Sequence, residues 1–276
     1  MKLFLDQAEV PLSNRGLAYG DGFFETMRFD QGVCSLINYH MARMCNTAHR
    51  LGYSFSKNDA VALSSALKEK ISKDSDQQIV KVTVTREAGG RGYRSIEGAE
   101  SEVFVQCFPY QPSLSSKEIA AGVQVRVCDI KLAIQPALAG LKHLNRLENV
   151  IARNEWRDEK IFEGLLLDQN GLIVETTQSN IFFKVGERWL TPELNQAGVA
   201  GVMRGWLLDH EADLNQTFHV TTLSLDDLSK AQGCFICNSV LGVIPVQSIL
   251  TSDEESVSFD TEAAFALSKQ VNDLLV

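Results

Sequence analysis

Three features in the second half of the chain have residue types and spacing that can do chemistry together. Lys142 stands in Ala139-Gly140-Leu141-Lys142-His143-Leu144-Asn145-Arg146-Leu147-Glu148. An ammonium drawn partly into apolar surroundings loses hydration, its pKa falls, and the freed amine becomes a nucleophile toward carbonyls. Glu175 ends the run Leu172-Ile173-Val174-Glu175, where a buried carboxylate can hold a pyridine nitrogen protonated and make that ring an electron sink. Gly198-Val199-Ala200-Gly201 then leads into Val202-Met203-Arg204. Glycines ahead of a helix leave backbone N–H groups open to a phosphate dianion. Arg43, in Tyr39-His40-Met41-Ala42-Arg43, adds a guanidinium that can fork onto phosphate, and Asn238-Ser239 adds an amide and a hydroxyl after a core-like strand. Singly, each has an ordinary explanation: a snorkelling lysine, a solvated strand end, a common helix entry, a surface arginine. Their combination is what points to chemistry.

Other chemistries fail on spacing. Cys234-Phe235-Ile236-Cys237 has no second cysteine or histidine pair, and in a strand its two thiols face opposite sides, which argues against zinc or redox work. The five histidines include no HExxH, Ser179 lacks a nucleophile-elbow setting, and no Gly-Lys-Ser/Thr makes a P-loop. A metal is not expected.

These residues need elements to position them. The spacing predicts a strand-rich opening with a tight turn at Asp30-Gln31-Gly32 leading into Val33-Cys34-Ser35-Leu36. A helix starts near Asn38, carries Met41, Met44, Cys45, Ala48 and Leu51, and stops at Gly52. A second, capped by Ser56 or Asn58, carries Ala60, Leu63, Leu67 and Ile71. Val80, Val82 and Val84 alternate with polar residues as a strand, and Val103–Phe108 is another, after a glycine-rich loop around Arg91. Lys142 is predicted at the mouth of a helix with Leu144, Leu147, Ile151 and Trp156 near helical spacing. Asn170-Gly171 marks a hairpin, and Leu225–Ala231 and Ala264–Leu274 read as helices. A small α+β domain over 1–108, a linker over 109–119 rich in proline and serine, and a larger domain over 120–276 follow.

The 276 residues, 45% hydrophobic and 22% charged, can bury a substantial core. A net charge of -9 speaks against a general nucleic-acid binder. No apolar run approaches the roughly 20 residues needed to cross a bilayer, and the N-terminus is too short for a signal peptide, so a soluble cytoplasmic protein without membrane partners is expected. Six scattered cysteines are expected to be reduced.

Lysine, then glutamate, then phosphate loop, behind an N-terminal α+β domain, resembles the class IV (branched-chain and D-amino acid) aminotransferase family. Glu175-Thr176-Thr177-Gln178-Ser179-Asn180-Ile181-Phe182, Thr191 and Val199-Ala200-Gly201-Val202-Met203-Arg204 are similar to that family's signature, with Trp189 where an aliphatic residue is usual. The resemblance implies a two-domain fold type IV enzyme of α+β class, with a small N-terminal α/β sandwich and a larger C-terminal β-rich pseudo-barrel. It implies pyridoxal 5'-phosphate as cofactor, Lys142 as the Schiff-base and acid/base residue, and a cofactor site of Lys142, Glu175, Arg43, Asn180, Gly201, Val202, Met203 and Ser239. A homodimer is implied as well.

Within the family, Gly89-Gly90-Arg91-Gly92-Tyr93, Lys142–Glu148 and Asn195–Val199 are similar to the lyases that act on 4-amino-4-deoxychorismate in folate biosynthesis. Branched-chain transaminases place a tyrosine five residues after the lysine, and here that position is Leu147. The implied reaction yields 4-aminobenzoate and pyruvate. For the substrate's carboxylates Arg91 is the first candidate, then Arg86 and Asn238, with Arg28 and Arg146 open. The alternative on the same fold is a D-amino acid or broad-specificity aminotransferase.

Overall fold

The computed structural model describes residues 1–6, 9–71, 77–89, 92–251 and 255–275. The chain divides into two compact units, Met1–Gln111 with Leu141–Asn145, and Pro112–Gly140 with Arg146–Val276. Arg91 and Gly90 lie outside the described residues.

The first unit runs β1 (Lys2–Leu5), α1 (Arg15–Tyr19), β2 (Gly22–Phe29), α2 (Ile37–Leu51), α3 (Lys57–Lys70), β3 (Gln78–Arg86) and β4 (Ser101–Pro109). Its sheet has the order β1-β4-β3-β2, with β1 parallel to β4 and the other pairs antiparallel. Alternation puts Phe23, Met27 and Phe29 of β2 and Val80, Val82 and Val84 of β3 on the buried face, against Met44 and Ala48 of α2 and Leu63 and Leu67 of α3. Gly52 ends α2 at φ 68°, where a side chain would be strained. Ser56 and Asp59 close a capping box on α3. The turn after β2 places Gln31 and Gly32 at φ 47° and 78° and pairs Asp30 with Val33. Val33–Leu36 does not continue as a strand: beyond the Val33 bridge the chain turns into α2.

The second unit holds α4 (Ser116–Ala121), β5 (Val123–Leu132), α5 (Leu147–Arg153), β6 (Ile161–Asp168), β7 (Ile173–Thr176), β8 (Asn180–Val185), β9 (Arg188–Pro192), α6 (Val202–Asp209), α7 (Glu211–Leu214), β10 (Thr217–Thr221), a 3-10 turn Leu225–Lys230, β11 (Gly233–Asn238), β12 (Gly242–Leu250), β13 (Ser256–Ser258) and α8 (Glu262–Leu274). The mixed sheet has the order β10-β9-β8-β11-β12-β5-β6-β7, with β13 on β12. β7 passes into β8 through the tight bend Thr177–Ser179, where Thr176 N–H donates to Ser179 O at 2.8 Å, and the sheet curls into a half-barrel. Val125, Leu165, Ile181, Ile236 and Val246 are among the residues that fill it. Asp168 and Gly171 make the β6–β7 hairpin, with Gly171 at φ 80°.

Two local readings change. The stretch expected as a linker is structured at both ends: β4 reaches Pro109, and Ser115 with Glu118 caps α4. The helix after Lys142 is only Leu147–Arg153, and its apolar residues Leu147, Val150 and Ile151 are 74%, 52% and 53% exposed. Trp156 leaves the helix and buries itself with its Nε1–H on Ile161 O at 3.0 Å.

The burial pattern of α3 makes a direct test. Leu63→Ala is expected to cost about 3 kcal/mol in urea unfolding, because a buried leucine vacates a filled core. Val61→Ala, two residues earlier on the opposite side of the same helix at 66% exposure, should change stability by less than about 0.5 kcal/mol.

Candidate active site

Lys142 is placed by its backbone. β2 is the edge of the first sheet, and an edge strand presents unpaired N–H and C=O groups. Leu141–Asn145 answers them: Phe24 N–H donates to Lys142 O at 3.0 Å, Leu144 N–H donates to Gly22 O at 3.0 Å, and Phe23 bridges His143 antiparallel. Lys142 therefore stands in an extended segment rather than at a helix mouth. Its ammonium lies 4.5 Å from the centre of the Phe24 ring, an attractive cation–π contact, and the residue is half-buried.

Arg43 belongs to a buried group that sequence reading missed. Glu25 shares the inward face of β2 with Phe23 and Met27, and is 1% exposed. Arg43 forks onto it, with Nε on Oε1 at 2.7 Å and Nη2 on Oε2. His40, one helical turn before Arg43, meets Glu25 Oε2 through Nδ1 at 2.6 Å. Burial alone would raise the Glu25 pKa, but the Arg43 and His40 charges and hydrogen bonds outweigh it and hold the carboxyl at about 2. Burial pushes His40 down, Glu25 opposes this, and Arg43 and the nearby Lys142 add to the lowering. Lys142, His40, Glu25 and Arg43 thus form one electrostatic cluster. An acid among inward-facing residues of a strand was the available signal.

Arg86 is elsewhere in this unit. It stacks on Tyr53 at 4.1 Å, pairs with Asp21, and donates to Leu51 O and Gly52 O at the end of α2. Three of its five N–H groups hold structure.

In the second unit, Glu175 and Asn180 converge on the glycine loop. Glu175 is 4% exposed, not a solvated strand end, and its Oε2 accepts Val199 N–H at 2.8 Å. Asn180 clamps the same loop from both sides, its Oδ1 accepting Gly201 N–H at 3.0 Å and its Nδ2 donating to Val199 O at 2.9 Å. A Cβ on Gly201 would stand 2.0 Å from Asn180 Oδ1, so a side chain here would push that amide off the loop. Gly201 opens α6, whose first N–H groups, at Val202 and Met203, follow without a side-chain cap among the described residues. Arg204 turns inward instead, donating to Thr191 Oγ1 at 3.3 Å and Pro192 O at 3.1 Å. Asn238 donates to Ser179 Oγ at 3.0 Å, while its Oδ1 accepts Val240 and Leu241 N–H, which orders the turn that carries Ser239.

These residues fit a phosphorylated pyridine cofactor. Within the second unit, a buried carboxylate suits a ring nitrogen and a glycine-opened helix start suits a phosphate; within the first unit, the chemistry of the Lys142 amine suits an aldehyde and that of Arg43 a phosphate. No cluster of metal-ligating side chains occurs among the described residues, and no described helix is long and apolar enough to cross a membrane.

The Glu25 cluster sets a pH signature. Its folded pKa of about 2 lies below the ordinary 4.5, so the stabilisation is complete above pH 4.5 and is lost as pH falls toward 2. Glu25→Gln is expected to cost about 3 kcal/mol at pH 7, since it breaks a buried pair, and that penalty should shrink below pH 4.5 in urea unfolding of both proteins.

The chain has clear relatives. The family profile Amino-transferase class IV matches residues 22–249. Aminodeoxychorismate lyase of Vibrio harveyi is 35% identical over 260 residues, 92% of each chain. The crystal structure of 4-amino-4-deoxychorismate lyase from Pseudomonas aeruginosa has 36% identity and a TM-score of 0.86, covering 98% of this chain and 95% of that one. D-alanine aminotransferase of Bacillus licheniformis is 27% identical over 246 residues, 88% of this chain and 84% of its own. With the profile spanning most of the chain and the half-barrel matched along its length, this protein belongs to the class IV aminotransferase family.

Proposed function

We propose that this protein is a pyridoxal-phosphate-dependent lyase that converts 4-amino-4-deoxychorismate to 4-aminobenzoate and pyruvate, a step of folate biosynthesis. The observation that carries the reading is 35% and 36% identity to two aminodeoxychorismate lyases, against 27% to the D-alanine aminotransferase and 25% to a third lyase, that of Bacillus subtilis. Leu147, where branched-chain transaminases carry tyrosine, supports the same reading.

Bound pyridoxal phosphate supplies an electron sink for charge that develops at the carbon bearing the amine. The chain's own residues do the rest. Lys142 would hold the cofactor through its amine, and the same amine, once free, would take the proton from C4 of the substrate. Glu175 keeps the pyridine nitrogen protonated. Arg43, the N–H groups of Val202 and Met203, and Ser239 bind the phosphate, while Asn180 holds the Gly201 N–H and keeps that loop in shape. With the C4 proton gone, the C3–O bond breaks, the enolpyruvyl group leaves and takes up a proton as pyruvate, and the ring becomes aromatic. No amino acceptor is consumed. Arg91 is proposed for a substrate carboxylate. Arg86 and Asn238 have fewer donors to offer, given their structural bonds.

We further propose a homodimer, with the exposed apolar face of α5 (Leu147, Val150 and Ile151) supporting it. A cytoplasmic location fits six free thiols.

Purified protein with pyridoxal phosphate and no amino acceptor is expected to release equal amounts of 4-aminobenzoate and pyruvate from 4-amino-4-deoxychorismate, and Lys142→Ala none. No product, together with conversion of the bound cofactor to its amine form by D- or L-amino acids, would establish the transaminase instead. Leu147→Asp with Ile151→Asp should shift the protein from dimer to monomer in sedimentation velocity.

A further inference from the structure

Glu163 is a buried acid that the reaction above does not use. It lies on β6 in Ile161-Phe162-Glu163-Gly164-Leu165 and is 1% exposed. Four donors converge on it. Thr176 Oγ1 reaches Oε2 at 2.6 Å, Gln178 N–H at 3.0 Å and Thr177 Oγ1 at 3.5 Å, while Ser179 Oγ reaches Oε1 at 2.7 Å. Burial raises its pKa against the pull of these donors. No ion pair to Glu163 occurs among the described residues. A charge buried in this way costs stability that an apolar side chain would not, so what it contributes must be sought in conformation.

The four donors are the consecutive residues Thr176–Ser179, which join Glu175 to Asn180. Glu175 and Asn180 are the two side chains that grip the Val199–Gly201 loop. Ser179 also accepts the amide of Asn238, so the same carboxylate anchors the turn that carries Ser239. One side chain on a neighbouring strand therefore sets the spacing between the carboxylate end and the phosphate end of the candidate cofactor site.

From this geometry we infer that Glu163 is a positioning residue for cofactor binding, acting through the Thr176–Ser179 turn on Glu175, Asn180 and Asn238. The inference rests on the pyridoxal-phosphate reading. In Glu163→Gln the amide oxygen still accepts Gln178 N–H and Thr176 Oγ1, and the amide nitrogen donates to Ser179 Oγ. Glu163→Leu removes all four acceptor contacts.

The test is equilibrium titration of the cofactor-stripped full-length protein with pyridoxal phosphate, followed by visible absorption, beside thermal unfolding. Glu163→Leu should bind at least tenfold more weakly and shift the pH midpoint of the visible band, Ser179→Ala should bind three- to tenfold more weakly, and Glu163→Gln should stay within threefold of wild type. Val246→Ala, a core variant in the same unit, should lower the melting temperature and leave affinity and the pH midpoint unchanged. If Glu163→Leu binds within threefold of wild type, or Val246→Ala is weakened as much, the inference fails while the cofactor reading stands. If Glu163→Leu does not fold, unchanged affinity in Ser179→Ala overturns it equally. A wild-type protein that takes up no pyridoxal phosphate overturns both.

Discussion

The placement of Lys142 depends on the need of an edge strand for backbone partners. Among the described residues β2 has no neighbouring strand on its outer side, and the two hydrogen bonds from Phe24 to Lys142 and from Leu144 to Gly22 make Leu141–Asn145 a short addition to that edge. Backbone pairing is register-specific, because a slip of one residue turns every side chain to the opposite face. The register that sets Phe23 opposite His143 also brings the Lys142 amine over the Phe24 ring. A flexible four-carbon side chain thus starts from a rigid origin. It does so although Leu141–Asn145 lies in sequence between two stretches of the other unit.

The second constraint is the cost of burying carboxylates, and the protein meets it in three ways. Glu25 is compensated by charge, from an arginine fork and a histidine, and its pKa falls. Glu163 is compensated by neutral hydroxyls and one amide, which do not fully offset burial, and its pKa rises. Glu175 accepts a backbone N–H from the loop leading into α6. The arginine fork ties the first acid to α2. The acid beside the glycine loop is joined to that loop through the Val199 N–H.

A resulting division of labour runs through the second unit. Asn180 and Gly201 are fitted so closely that no other residue can replace the glycine without displacing the amide. At the entry to α6 the open donors are then backbone N–H groups, since Arg204 is spent on Thr191 and Pro192 inside the core. Backbone N–H groups at a helix start lose little entropy on binding, because they are already ordered.

Much of this was legible from the chain. Gly52 as a helix stop, the Ser56 cap, the β6–β7 hairpin at Gly171, the entry into α6 after Gly201 and the inward valines of β3 all follow from rules that reach only a few residues along the sequence. The order of lysine, glutamate and glycine loop carried the family, and with it the pseudo-barrel. The tertiary structure decided what no local rule contains. Helical periodicity put Lys142 at a helix mouth, whereas the open edge of a strand more than a hundred residues earlier drew it into an extended segment. Arg43 reads as a lone surface cation until β2 brings Glu25 under α2, and Arg86 reads as a substrate arginine until its donors meet Asp21 and the end of α2. Glu163 reads as one polar residue in an apolar strand until four donors from the next turn close on it. Sequence spacing determines which groups share a helix face or a strand side. Which charge finds which partner is set by the long-range pairing of strands, because that is where burial makes an unpaired charge too costly to keep.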